Sequence, residues 1–243
     1  PRSLLIVLAV VIIAGHNLLD GLHFDAGSAL HIPWTILHER SWNEVGDSLR
    51  RRITYPVLPW IGVIALGYSL GPWFAQGMPP ALRQRYLLLG GMSALIGFVV
   101  LRAANGYGEK PWQAYDNGVQ TLMSFFNITK YPPSLLFLAL TLGIGLLLLL
   151  AFEKAGSKRW IGLLATFGAA PMFFYLLHLY VLKILYVACV ALFGLNHGNY
   201  FGVDGMGAIW LVALLLPLAL YAPVHWFAAL KARRRHLAWL KYR

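Results

Sequence analysis

The chain has 243 residues, of which 59% are hydrophobic and only 12% are charged, with 20 Lys and Arg against 9 Asp and Glu. Soluble domains carry about 25% charged residues, so this composition excludes a disordered chain, a coiled coil and an ordinary cytosolic enzyme. It predicts an all-α, polytopic transmembrane helix bundle, because a spanning helix needs roughly 20 apolar residues and the sequence offers six candidate runs.

In chain order, the apolar runs predict spans over residues 4–19, 55–74, 86–101, 133–152, 171–193 and 206–226. The first run is short for a span and fits two interpretations. It is either the core of a signal peptide or a spanning helix shortened by truncation. We favour the helix, because five more spans follow. Together with the start at Pro1, it predicts that residues 1–243 are one transmembrane domain of an N-terminally truncated chain.

The segments between the spans are polar, and two of them contain shorter helices. Residues 119–126 predict a helix lying at the membrane interface, with Asp116 or Asn117 as its cap. After the last span, residues 231–243 alternate apolar residues with Lys and Arg, which is typical of a basic amphipathic helix at a membrane surface.

The charges predict an orientation. If the C-terminus is cytoplasmic, alternation of six spans places most Lys and Arg on the cytoplasmic side and most Asp and Glu on the other. We therefore predict a multi-pass membrane protein with a cytoplasmic C-terminus and with anionic cytoplasmic headgroups as its partner. The charge belongs to this interface, so nucleic acid is not an expected partner.

The polar segment after the first span is the first candidate site. If the first helix continued outward, His16, Asp20 and His23 would share one face. A histidine beside a carboxylate is the minimum for a general base. The alternatives are solvated polar residues at a helix end or, with less support from the spacing, a metal site.

The fifth span is the second candidate site. Lys183 is costly in hydrocarbon, so it is expected to face a cavity or a partner, and Tyr175 and His178 lie on the same side of this helix. The alternative is that Lys183 reaches the interface and the rings bond across helices. Outside the second span, Arg50–Arg52 could bind an anionic group or pair with nearby carboxylates.

Several blocks carry a family resemblance. HNLLDGL (16–22), YPVLPWIGVIALGYSLG (55–71), LRAANGYG (101–108), FNITKYPPSLLF (126–137) and FGAAPMFFYLLHLY (167–180) occur in this order. Together they resemble bacterial membrane proteins of the heparan-α-glucosaminide N-acetyltransferase-like family. Members begin with further spans that have no counterpart here. The family's catalytic histidine belongs to that missing region and does not transfer to His16 or His178.

The resemblance implies an acyltransferase of the bacterial inner (plasma) membrane. It would pass an acetyl or other acyl group from cytosolic acyl-CoA to a saccharide or other envelope acceptor on the far side. Acetyl-CoA or another acyl-CoA is the expected co-substrate, and no metal is expected. We assign the site residues as follows: His16 and Asp20 as catalytic; Arg52, Tyr55, Tyr175, His178 and Lys183 as substrate-binding; Arg83, Arg85, Lys158 and Arg159 as contacts for acyl-CoA.

Two other classes of function remain open from the sequence. One is a transporter or flippase for an anionic or glycan substrate, with Lys183 and Arg50–Arg52 along its path. The other is a non-catalytic membrane subunit. A homo-oligomer also remains open.

Overall fold

The computed structural model describes residues 1–45, 49–156 and 158–234, with the backbone alone at 42–45 and 49–52. Its helices are α1 (Arg2–Gly15), α2 (His31–Leu37), α3 (Leu58–Ser69), α4 (Pro80–Ala104), α5 (Gly118–Phe126), α6 (Leu135–Ala155), α7 (Arg159–Ala169), α8 (Pro171–Phe193) and α9 (Met206–Arg233). Short 3-10 helices cover His16–Leu19 and Gly71–Phe74, and strands β1 (Ser41–Val45) and β2 (Leu49–Ile53) form a hairpin. The chain has the all-α, helical membrane architecture that its composition predicts.

Five helices in the described ranges are long and apolar enough to cross a membrane: α1 with its 3-10 extension, α4, α6, α8 and α9. The predicted span at 55–74 differs, because α3 has only 12 residues. Prolines delimit it: Pro59 lies in its first turn, and Pro72 follows in the 3-10 helix. The predicted span at 86–101 is lengthened at both ends to Pro80–Ala104.

The chain divides into two compact units, Pro1–Lys154 and Ala155–Arg243. In the first unit, α1 and α3 run in opposite directions, and so do α4 and α6. The start of α1 meets the end of α3 where Arg2 Nε donates to the Ser69 carbonyl oxygen at 2.9 Å. The start of α4 meets the end of α6 through Arg83 and Glu153.

The opposite end of the first unit collects the end of α1, the start of α3, the end of α4 and the start of α6; we call it the polar end. His16 Nε2 lies 2.9 Å from the Pro133 carbonyl oxygen there, and Tyr107 donates from its hydroxyl group to the Ala14 carbonyl oxygen. The polar loops of this unit therefore face one another across the helix ends.

Glycines permit close helix contact within the first unit. A Cβ added to Gly91 of α4 would lie 2.7 Å from the Leu147 side chain of α6, and one added to Gly143 of α6 would lie 2.9 Å from Leu95. Gly62 of α3 similarly faces Ile12 and Ile13 of α1. Small residues at such contacts let helices pack closely in a membrane.

In the second unit, the start of α8 packs against the last turns of α9. Ala170, Val224 and Phe227 are its buried core, and the rings of Phe173 and Phe227 stack with centroids 4.3 Å apart. Lys231 donates from Nζ to the Ala169 carbonyl oxygen at 3.2 Å. Most of the predicted basic tail, residues 235–243, lies outside the described residues.

The polar segment before α3 contains the antiparallel β1–β2 hairpin, which the sequence analysis did not foresee. Its register pairs Ser41 with Ile53 and Glu44 with Arg50. Arg50–Arg52 are thus on β2. In the polar segment after α4, Asn117 caps α5 by accepting a hydrogen bond from the Val119 amide at 2.9 Å, so of the two predicted caps Asn117 is confirmed.

Candidate functional site

A cleft of about 390 Å³ opens at the polar end of the first unit. It combines the 3-10 helix after α1, the segment around α2, the loop after α4 and the loop before α6. Most of the residues that line it have polar or charged side chains; the lining residues are Asn17, Asp20, Leu22, His23, His38, Glu39, Arg40, Glu109, Lys110, Thr129, Tyr131, Pro132 and Ser134.

The central feature of the cleft is a histidine–carboxylate pair. His38 Nε2 lies 3.0 Å from Asp20 Oδ1, and the His38 side chain is only 3% exposed, whereas that of Asp20 is 51% exposed. A carboxylate only accepts hydrogen bonds, so Nε2 carries the proton of this bond. Nδ1 of His38 is buried and has no hydrogen-bond partner in the part of the chain that the structure describes.

The environment of His38 keeps its ring neutral near pH 7. Burial lowers the pKa of His38 below its ordinary value of 6.5, although the neighbouring Asp20 carboxylate acts in the opposite direction. A neutral ring that donates from Nε2 has an unprotonated Nδ1, which is the state a general base requires.

The segment containing α2 brings His38 back over the end of α1. Trp34 donates from Nε1 to the Leu22 carbonyl oxygen at 2.8 Å, and His31 Nδ1 lies 2.7 Å from the Phe24 carbonyl oxygen. The Val57 amide before α3 donates to the Ile36 carbonyl oxygen at 2.9 Å. These bonds fold residues 20–40 into a cap, in which the Trp34 ring lies 5.2 Å from that of His38.

His16 has a different environment from the one predicted. Its Nδ1 lies 3.1 Å from the Ile12 carbonyl oxygen and 3.0 Å from that of Ile13, and its Nε2 faces the Pro133 carbonyl oxygen. Both nitrogens thus face backbone, and His16 joins α1 to the start of α6. The geometry favours His38 over His16 as the partner of Asp20; a catalytic role for either stays a prediction.

The expected helical face over His16, Asp20 and His23 is wrong. α1 ends at Gly15, and the chain tightens into a 3-10 helix at His16–Leu19. His23 lies beyond it in irregular structure, where its Nδ1 is 3.2 Å from Glu39 Oε1. Asp20 remains in the candidate site, but its histidine partner comes from 18 residues further along the chain.

Glu109 forms one wall of the cleft. Its carboxylate accepts hydrogen bonds from the Thr129 amide and hydroxyl groups, the Ser134 hydroxyl group and the Lys110 amide. Burial disfavours its charge, but these bonds outweigh burial and lower the pKa of Glu109 below its ordinary value. The charged carboxylate thus joins the loop after α4 to the loop before α6.

Arg102, in the last turn of α4, supports the same wall of the cleft. It is 2% exposed near the end of α4, and its guanidinium donates to four backbone carbonyl oxygens, those of Lys110, Ser124, Phe125 and Asn127, at 2.7–3.2 Å. From the sequence, Arg102 has no predicted role beyond its place in the LRAANGYG block (101–108). The position of a single arginine at the end of an apolar run could have indicated that it binds groups at the helix end.

The remaining predicted contacts do not gather in this cleft. Tyr55 lies at the polar end, where its ring packs against that of Tyr131 at 4.8 Å. Arg52 is on β2, and its side chain lies outside the described part of the structure. Tyr175 and His178 of α8 contact each other, and Lys183 Nζ lies 5.0 Å from the centre of the Tyr186 ring. These three belong to the second unit.

The predicted acyl-CoA contacts are also dispersed. Arg83 is engaged by Glu153, with Nε and Nη2 each 2.9 Å from a carboxylate oxygen, so its guanidinium is already paired. Arg85 is exposed near the start of α4. Lys158 and Arg159 are exposed at the start of α7, in the second unit.

The fold and the cleft together define a class of protein, namely a multi-pass membrane protein with a polar cleft at one end of the helices of its first unit. No protein-family model, curated protein or solved structure matches the chain. The resemblance to heparan-α-glucosaminide N-acetyltransferase-like proteins therefore stays a prediction.

Proposed function

We propose that the chain is an integral membrane acyltransferase in which the polar cleft binds the acceptor and His38 acts as its general base. The observation that carries the proposal is the buried His38 ring, which is bonded to Asp20 through Nε2 and whose Nδ1 has no hydrogen-bond partner among the described residues. An unpaired buried nitrogen is costly unless a ligand or a reacting group completes its hydrogen bonding. An acceptor hydroxyl or amine supplies the missing donor.

The proposed reaction is a direct transfer of the acyl group from the thioester to the acceptor. The acceptor oxygen or nitrogen attacks the carbonyl carbon of the acyl thioester while His38 Nδ1 takes its proton. The carbon–sulfur bond then breaks, the CoA thiolate leaves, and the proton passes from His38 to the thiolate or to water. Asp20 stabilises the imidazolium that forms in between and holds the ring in one orientation.

Access to Nδ1 requires a local rearrangement, since this atom is buried. Trp34 and His16 contact the His38 ring, with centroids 5.2 and 6.0 Å away. Catalytic hydrogen bonds often form fully only in the substrate complex. We infer that the acceptor enters between the α2 cap and the helix ends and completes the site as it binds.

The proposal also has a transmembrane component. The cleft and the Arg83 end of α4 are separated by a helix of 25 residues, which is about 37 Å long. With the positive-inside rule, we infer that the Arg83 end is cytoplasmic and that the cleft opens on the far side of the inner membrane. Cytosolic acyl-CoA would then be the donor, and its thioester must be brought from the Arg85 end to the cleft before a saccharide or other envelope acceptor attacks it there.

The test is an acyl-transfer assay with the full-length protein in liposomes, given labelled acetyl-CoA and an envelope saccharide extract. We expect labelled acceptor and free CoA, and we expect His38→Gln and Asp20→Asn to lower the rate at least about 100-fold. The matched controls are His197→Gln and Asp204→Asn, because His197 and Asp204 form a similar pair at 2.9 Å in an exposed loop of the second unit.

Two outcomes contradict the proposal. One is transfer at the wild-type rate in His38→Gln. The other is movement of an anionic or glycan substrate across the membrane without consumption of acetyl-CoA, which is the result expected of a transporter.

A further inference from the structure

We propose that Asn17 is a positioning residue that holds the Asp20 carboxylate against His38 and anchors the pair to the start of α6. Its catalytic importance rests on the proposed function, whereas the hydrogen bonding itself can be measured without any substrate. Nothing in the sequence analysis assigned Asn17 a role.

Local geometry explains why Asn17 reaches Asp20. In a 3-10 helix, side chains three residues apart lie directly above one another. The chain adopts this helix over His16–Leu19, and Asn17 Nδ2 donates to Asp20 Oδ2 at 2.9 Å. In a regular α-helix the same two side chains would be offset by about 60°, so the tightening after Gly15 brings them into line.

The start of α6 fixes the orientation of the Asn17 amide. The Leu135 amide, one of the N–H groups that a helix cannot satisfy internally, donates to Asn17 Oδ1 at 2.8 Å. Since Oδ1 is bound to this donor, Nδ2 must face Asp20. Asn17 is thereby held at both ends of its amide group.

The result is a continuous chain of hydrogen bonds from the backbone of α6 to the imidazole. Leu135 donates to Asn17, Asn17 donates to one Asp20 oxygen, and His38 donates to the other at 3.0 Å. Each oxygen of Asp20 is occupied by a different donor, so the half-exposed carboxylate is held in one orientation. Without Asn17, Asp20 would be free to turn toward water.

The test follows the titration of His38 by ¹⁵N-histidine NMR of the full-length protein in micelles, with His38→Gln used to assign the signal. The titratable neighbours that act on His38 within the described residues are Asp20 and Glu39, which favour its imidazolium, and His16, which opposes it. If Asn17 positions Asp20, then Asn17→Leu should lower the His38 midpoint in the same direction as Asp20→Asn, because burial remains while the attraction weakens.

A second variant guards against loss of fold. Asn17→Ser keeps a hydroxyl oxygen near the Leu135 amide but is too short to reach Asp20, and it should give the same downward shift. The matched control is Asn117→Ala, which removes the cap of α5 outside the cleft and should leave the His38 midpoint unchanged.

A wild-type midpoint in a folded Asn17→Leu or Asn17→Ser variant would overturn the inference. In the acyl-transfer assay, the same variants should lower kcat by up to about 100-fold with KM nearly unchanged. A shifted midpoint in a protein that shows no acyl transfer would reject the proposed function while leaving the role of Asn17 in place.

Discussion

Arg102 shows how a single residue can organise the loops of a membrane protein. Its guanidinium offers five donors in a rigid fork, and four backbone carbonyl groups accept from it within a few ångströms of the end of α4. Lysine offers a point charge on a flexible chain and cannot reproduce this pattern. The walls of the cleft therefore depend on Arg102 although it does not line the cleft.

We predict that Arg102→Met lowers the free energy of unfolding by about 2 kcal/mol, because four partly buried carbonyl groups lose the charged donor that they share. Arg102→Lys should recover only part of this loss. The measurement is unfolding in detergent monitored by circular dichroism, with exposed Arg85→Met as the control. Equal stability of the two methionine variants would mean that the carbonyl groups find other partners.

Glu109 gives the stability a predictable dependence on pH. The pKa of Glu109 is lowered in the folded protein, so its charged form contributes stability that is fully present above about pH 4.5, the ordinary value. This contribution is lost as the pH falls from there through the lower pKa of the folded state, because the unfolded chain then binds more protons.

We predict that Glu109→Gln destabilises the protein at pH 7 and that its difference from wild type shrinks below pH 4.5. Unfolding at several pH values in the same detergent measures this difference, and Glu39→Gln, whose partner His23 is exposed, is the comparison. A difference that stays constant with pH would show that the charge of Glu109 does not matter for the fold.

Of the two residues in the central pair of the cleft, the sequence predicted Asp20 but not His38. Asp20 was selected because it is close in sequence to histidines, but its partner His38 is 18 residues away and arrives only through the fold of the α2 cap. That fold depends on bonds such as Trp34 to the Leu22 carbonyl oxygen, which have no periodicity to detect. The sequence showed the density of polar groups but not their pairing.

At the scale of elements, helix contacts depend on where a glycine faces a neighbour. A Cβ at Gly91 would lie 2.7 Å from Leu147 Cγ, an atom near the backbone of that residue that cannot easily move aside. Gly97, one to two turns further along the same helix, has nothing within 4 Å of an added Cβ. Alanine at Gly91 therefore tests helix packing, whereas alanine at Gly97 tests only the intrinsic helix preference of the residue.

We predict that Gly91→Ala lowers the free energy of unfolding by about 1–3 kcal/mol, because α4 and α6 must move apart. Gly97→Ala should not destabilise, since alanine favours a helix over glycine. Unfolding in detergent compares the two variants. If both behave alike, then close approach at Gly91 does not determine the packing of these helices.

The helices were predictable to different degrees because different forces define them. Hydrophobicity alone located α8 at 171–193, the same bounds that the structure has. The ends of α1 and α3 depended on local chemistry instead, namely the 3-10 turn at His16 and the prolines around α3. The β1–β2 hairpin was not predicted, because its strands are short and mostly polar and so produce no apolar run.

For the whole molecule, the alternation of helices in the first unit leads to a proposed topology. The loop between α3 and α4 and the loop after α4 lie at opposite ends of α4. In a Cys189→Ala background, Gln76→Cys should react with an impermeant thiol reagent only from the cytoplasm, and Gln113→Cys only from the outside. Labelling of both from one side would contradict the proposed topology.

The most direct measurement of the central claim is the pH dependence of acyl transfer in single turnovers. We predict that the rate rises with pH through a midpoint below 6.5, since burial lowers the pKa of His38 and its neutral form is the base. His38→Gln should abolish this rise, while Asp204→Asn should leave it intact. A wild-type rate and pH profile in His38→Gln would show that His38 is not the base.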